Sequence, residues 1–117
     1  MANSIKVYHN PRCSKSRLTM ELLSEKGIQT EIIEYLKTPP SEQDLKDILS
    51  MLGLEPRQLM RTHEAEYKDN NLADESLSKD QLIEAMVKFP KLIERPIVVC
   101  NGKAAIGRPP ETVLEIL

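Results

Sequence analysis

Cys13 is the residue around which chemistry can be built. It stands in the run His9-Asn10-Pro11-Arg12-Cys13-Ser14-Lys15-Ser16-Arg17, after a β-prone stretch and just before a helical one. A helix start presents unpaired backbone N–H groups and a partial positive charge. A thiolate there is stabilised, so the Cys13 pKa is expected to fall below that of a free thiol. Arg12 and Lys15 flank it, and Arg17 lies one turn further on. The same geometry binds oxyanions. A nucleophile beside an anion cradle points to attack on a tetrahedral oxyanion. The competing reading is a small buried thiol at a helix start; position and flanking charge favour the nucleophile.

The elements that must position Cys13 follow from the pattern around it. Ile5 to Tyr8 alternates as a strand, and Ser14 to Lys26 reads as a helix with Leu18, Leu22 and Leu23 as its apolar residues. Gly27 sits where a helix C-terminal glycine belongs. Glu31 to Tyr35 is a second strand, so the unit is βαβ and its strands are parallel. Thr38-Pro39-Pro40 ends it. Ser41 with Asp44, and Ser78 with Gln81, open two helices with capping boxes. The first carries Leu45, Ile48, Leu49 and Leu52 at helical spacing. Pro56 opens a short helix carrying Leu59, Met60 and Arg61, and residues 62–77 read as a polar loop. Ile97 to Cys100 and Lys103 to Ile106 flank Asn101-Gly102, the preferred turn of a two-residue hairpin. A last helix would place Val113, Leu114 and Leu117 on one face. This order predicts an α/β, thioredoxin-like fold: a four-stranded mixed sheet with a helical insertion, at about 41–90, between the second and third strands. Residues 1–117 read as one domain.

That plan brings other residues toward Cys13. His9, four residues earlier, either hydrogen-bonds the thiolate or is an ordinary loop histidine. Asn10, Ser14 and Ser16 supply short polar side chains around the cradle. The loop before the third strand carries Arg95 and sits beside the nucleophile loop in such a fold. Arg61 and Arg108 are the other separated arginines whose planar forks suit oxyanions. By spacing alone, ordinary solvated arginines are the favoured reading. Ser16 stands where a CxxC motif has its second cysteine, so Cys13 lacks a local partner, and Cys100 reads as a core or strand-end thiol. A lone nucleophilic cysteine needs an external reductant. His63, with one further histidine and no cysteine nearby, gives no zinc spacing, so no metal is expected.

Composition excludes several classes. The 117 residues carry 16 Lys plus Arg against 18 Asp plus Glu, a net charge of −2, which argues against nucleic-acid binding. Aromatics are 3%, too few for a base-stacking platform. Two cysteines make no disulfide scaffold. No apolar run is long enough to span a bilayer, and MANSIKVY has no signal-peptide character. The expectation is a soluble, cytoplasmic protein with reduced thiols and no membrane partner.

Four segments resemble one family. Ile5 to Arg17 is similar to the active-site segment of the glutaredoxin-linked arsenate reductases, the ArsC family. Glu34-Tyr35-Leu36-Lys37-Thr38-Pro39-Pro40, Leu92 to Val99 and Asn101 to Pro110 resemble three further family segments. Glu64-Ala65-Glu66-Tyr67-Lys68 looks like the chromosomal type. The resemblance implies a thioredoxin-like fold with Cys13 as nucleophile and His9 as the histidine that lowers its pKa. It implies that Arg61, Arg95 and Arg108 bind the oxyanion. It further implies reduction of arsenate to arsenite with glutathione as co-substrate and glutaredoxin as partner, and with no bound cofactor or metal. Two alternatives are a thioredoxin-fold regulator binding RNA polymerase and a glutathione-dependent thiol oxidoreductase without arsenate activity. The position of Pro96 resembles the cis-proline loop of thioredoxin-like folds, so a cis bond is expected there.

Overall fold

The βαβ unit forms as its pattern predicts. A computed structural model describes residues 5–117. β1 (Ile5–His9), α1 (Ser14–Glu25) and β2 (Glu31–Glu34) follow one another, and β1 pairs β2 in parallel with Val7 opposite Ile32. The end of α1 explains Gly27: its φ is 69°, its N–H donates to Ser24 O at 2.9 Å, and Ile28 N–H donates to Leu23 O at 3.1 Å. That pair of bonds satisfies the last helical carbonyls through a left-handed residue.

β3 (Ile97–Cys100) and β4 (Lys103–Ile106) form the expected hairpin. Asn101 and Gly102 both have positive φ, 50° and 78°, as a hairpin turn matched to strand twist requires. β3 also pairs antiparallel with β1, so the mixed sheet runs β2-β1-β3-β4. The Arg95–Pro96 bond is cis as expected, and Arg108–Pro109 is a second cis bond that the sequence reading does not anticipate.

The chain divides into two compact units: residues up to Thr38 with Arg95–Leu117, and Pro39–Glu94. In the first, Ile5, Val7, Leu23, Val98, Cys100, Ala105 and Val113 make the core. Two details differ from expectation. Leu18 is 49% exposed, and the inward face of α1 is instead Ser16, Thr19 and Leu23, all fully buried. The last segment is a 3₁₀ helix, Pro110–Ile116, and not an α-helix. A three-residue period aligns Pro110, Val113 and Ile116 toward the core and leaves Leu117 exposed.

The second unit is helical: α2 (Glu42–Leu52), α3 (Pro56–Leu59), α4 (Ala65–Asp69), α5 (Lys79–Lys88) and a 3₁₀ turn, Pro90–Leu92. Both capping boxes form, with Ser41 Oγ accepting from Asp44 N–H at 3.0 Å and Ser78 Oγ from Gln81 N–H at 3.2 Å. Leu45, Ile48, Leu49, Leu82, Ile83 and Met86 are buried along their inward faces. α3 stops at Leu59, short of Met60 and Arg61, because Met60 bridges Ile93 in antiparallel fashion. Arg61 N–H then donates to Leu92 O at 2.7 Å, and Glu94 N–H to Leu59 O at 2.8 Å. α4 lies within the stretch expected to be loop; it buries no residue, so it leaves no apolar period to read. Among the described residues no helix is long and apolar enough to cross a membrane.

Candidate functional site

The turn after β1 is closed on itself before it reaches Cys13. Asn10 N–H donates to the fully buried Ser16 Oγ at 3.3 Å. Asn10 Oδ1 accepts from Arg12 N–H at 3.0 Å, and Asn10 O accepts from Cys13 N–H at 3.0 Å. Asn10 and Ser16 therefore shape the loop through backbone groups; Ser14 lies exposed on the first turn. The result fixes Cys13 as the residue that opens α1, with φ −92° and ψ 125°.

The sulfur is half-buried, and burial alone would push the thiol up. Opposing it are the Ser16 amide, a hydrogen bond from Arg95, the Lys15 amide and the Arg95 charge, and together they hold Cys13 below the ordinary thiol value. Sγ closes no regular cap hydrogen bond, so the two amides act as oriented dipoles at the helix start. Arg108 Nη2 stands 3.9 Å from Sγ, and its Nε donates to Arg95 O at 2.8 Å. Two guanidinium groups from the open end of the β3–β4 hairpin thus meet one sulfur. This arrangement can hold a thiolate and an oxyanion side by side.

His9, which the resemblance makes the histidine that lowers the Cys13 pKa, closes β1. It is not among the groups that lower Cys13. Burial lowers its own pKa, against the opposing pull of Glu34, which pairs with it across β1 and β2. Its Nδ1 is buried without a hydrogen-bond partner.

The ArsC family model matches residues 8–116. The chain belongs to the ArsC family. It is 58% identical to the uncharacterized protein YfgD of Escherichia coli (strain K12), over 100% of this chain and 99% of that protein. It is 51% identical to the arsenate reductase of Haemophilus influenzae, over 97% of this chain and 99% of the other. The solved structure named as arsenate reductase from Vibrio cholerae superposes with a TM-score of 0.97 at 57% identity, covering 100% of both chains. The mixed sheet with helices is accordingly the thioredoxin-like fold of ArsC proteins.

Within this ArsC chain, Arg61 belongs to the second unit. Its side chain is 12% exposed and is held by Glu64 at 3.1 Å and Glu94 at 3.9 Å. His63 Nε2 lies 3.1 Å from Arg61 Nη2. The sequence names none of the three as a partner of Arg61. Glu64 sits three residues along and was legible as a local ion pair, whereas Glu94 arrives through the Met60–Ile93 bridge, which no local pattern announces. Among the described residues no three His, Cys, Asp or Glu side chains gather as a metal site.

Proposed function

We propose that this protein reduces arsenate to arsenite through a Cys13 thiolate, with glutathione and glutaredoxin as reductants, in the cytoplasm. The observation that carries the reading is the Cys13 sulfur at the start of α1, hydrogen-bonded by Arg95 and approached to 3.9 Å by Arg108. Full-length relatives named as arsenate reductases support it, among them the one from Neisseria meningitidis serogroup A, 49% identical over 97% of both chains.

The Cys13 thiolate attacks As(V), and a protonated arsenate oxygen leaves as water. Arg95 and Arg108 offset the charge of the remaining oxygens. A glutathione thiol then forms a second As–S bond, and a hydroxyl on arsenic leaves as water with the thiol's proton. The two sulfurs join as a Cys13–glutathione disulfide, their electron pair passes to arsenic, and arsenite departs as As(III). Glutaredoxin takes the glutathionyl group and returns Cys13 as thiolate. Arg61 enters the proposal as a third oxyanion ligand on the family resemblance, and no bound cofactor is required.

Arsenite production from arsenate with glutathione and glutaredoxin, for the wild type and Cys13→Ser, tests the reading. The wild type is expected to turn over and the variant to be inactive. An inactive wild type, or a variant that keeps its rate, overturns it.

A further inference from the structure

A groove of about 540 Å³ runs along the exposed side of α1 against the start of the terminal 3₁₀ segment. It begins at Lys15, two residues from the nucleophile, and its apolar lining includes Leu18, Leu22, Pro109 and Pro110. Its charged lining is mostly acidic: Glu21, Glu25 and Glu111 against Lys15 alone. Leu18 is the anomaly that draws attention here, a large apolar side chain left 49% exposed on the helix that presents Cys13.

We propose that this groove is the docking surface for a thiol protein that regenerates Cys13, and that this partner carries a basic rim, set to one side of its own cysteine, that meets Glu21, Glu25 and Glu111. The inference rests on the reading of Cys13 as a nucleophile turned over by external thiols. Cys100 is fully buried, and Ser16 stands where a resolving cysteine would, so electrons enter from outside. The partner's thiolate attacks the glutathione sulfur of the Cys13–glutathione disulfide. That S–S bond breaks, a new one joins partner and glutathione, and Cys13 leaves as a thiolate. The disulfide count is unchanged: the partner's thiolate gives an electron pair to the glutathione sulfur, and Cys13 leaves with the pair of the broken bond.

Such an attack fixes where the partner sits. A specific protein interface covers about 800 Å² per side, a patch of roughly 16 Å radius. At about 1.5 Å per residue, α1 is about 18 Å long. A partner centred on Cys13 therefore covers the first turns of α1, where Leu18 and the groove lie. The three carboxylates farther along select a positively charged rim and repel an acidic one.

The test uses full-length protein loaded at Cys13 with glutathione by reaction with glutathione disulfide. Removal of glutathione is followed by mass spectrometry, with glutaredoxin or the small uncharged reductant dithiothreitol. Leu18→Asp and the double variant Glu21→Lys/Glu25→Lys are each expected to lower kcat/KM for glutaredoxin by about tenfold, with the charge variant's loss shrinking as salt rises. Dithiothreitol rates and melting temperatures should match wild type. Unchanged glutaredoxin kinetics, or an equal loss with both reductants, overturns the proposal. So does a wild-type dimer in solution that Leu18→Asp dissociates, since the groove would then hold a second copy of the chain. No arsenate enters this assay, so failure of arsenate turnover counts against the proposed function and not against the docking surface.

Discussion

Gly107 is where packing and the site are most tightly joined, and Gly107→Ala should damage both. The residue is buried, and a Cβ built on it lies 2.5 Å from Thr19 Oγ1, 2.8 Å from Pro96 Cγ and 3.3 Å from Pro96 Cδ. Neither neighbour can give way cheaply. Thr19 is fully buried with its hydroxyl donating to Lys15 O at 2.9 Å, and Pro96 is a buried rigid ring. The backbone must shift, and overpacking of this kind costs about 1–3 kcal/mol. At roughly 4 °C per kcal/mol for a chain of this length, Tm should fall by about 4–12 °C. The shift also reaches the sulfur. Gly107 N–H donates to Pro96 O at 2.9 Å, and the next residue's Nε donates to Arg95 O at 2.8 Å, so both arginines near Cys13 move with it. Thermal melting would be read beside the pH profile of Cys13 alkylation. Adding Thr19→Ala removes one clash, so the double variant should lose less than the sum of the singles. An unchanged Tm for Gly107→Ala, or strict additivity with Thr19→Ala, would refute the steric argument.

Other outcomes follow from the same geometry. Arg95→Ala removes both a hydrogen bond and a charge from the thiolate, so its alkylation profile should shift to higher pH, whereas His9→Ala should shift it little. Burial lowers the His9 pKa, so the unfolded chain takes up that proton first as pH falls. Stability is then full above about pH 6.5 and declines below it, and urea melts of His9→Gln should show a flatter slope there. Ser41→Ala removes the side-chain half of the α2 capping box and should cost about 1 kcal/mol in denaturant melts while leaving Cys13 alkylation unchanged. Arg108→Ala should lower kcat/KM for arsenate by about 10- to 150-fold, the value of one charge-assisted bond of roughly 1.5–3 kcal/mol, with little change in Tm.

Local chemistry was written in the sequence wherever neighbours in the chain decide it. The helix start at Cys13, the capping boxes at Ser41 and Ser78, the Gly27 terminus and the Asn101-Gly102 turn each depend on a few adjacent residues, and each forms as read. The parallel pair and the hairpin followed too, because a short βαβ unit and a two-residue turn each fix their strands' direction, whereas the β1–β3 pairing that joins them into the order β2-β1-β3-β4 came only with the fold. Tertiary contacts decided the rest. Leu18 has the right spacing for a core position, yet α1 turns Ser16 and Thr19 inward, since Asn10 bonds Ser16 and Gly107 leaves room for Thr19. The terminal segment tightens to a three-residue period that sends Val113 and Ile116, and not Leu117, to the core. Cys13 gains Arg95 and Arg108 from the far end of the chain, across separations that periodicity cannot see. The lowered pKa of His9 could not be read from its neighbours because burial, a property of the folded surroundings, causes it.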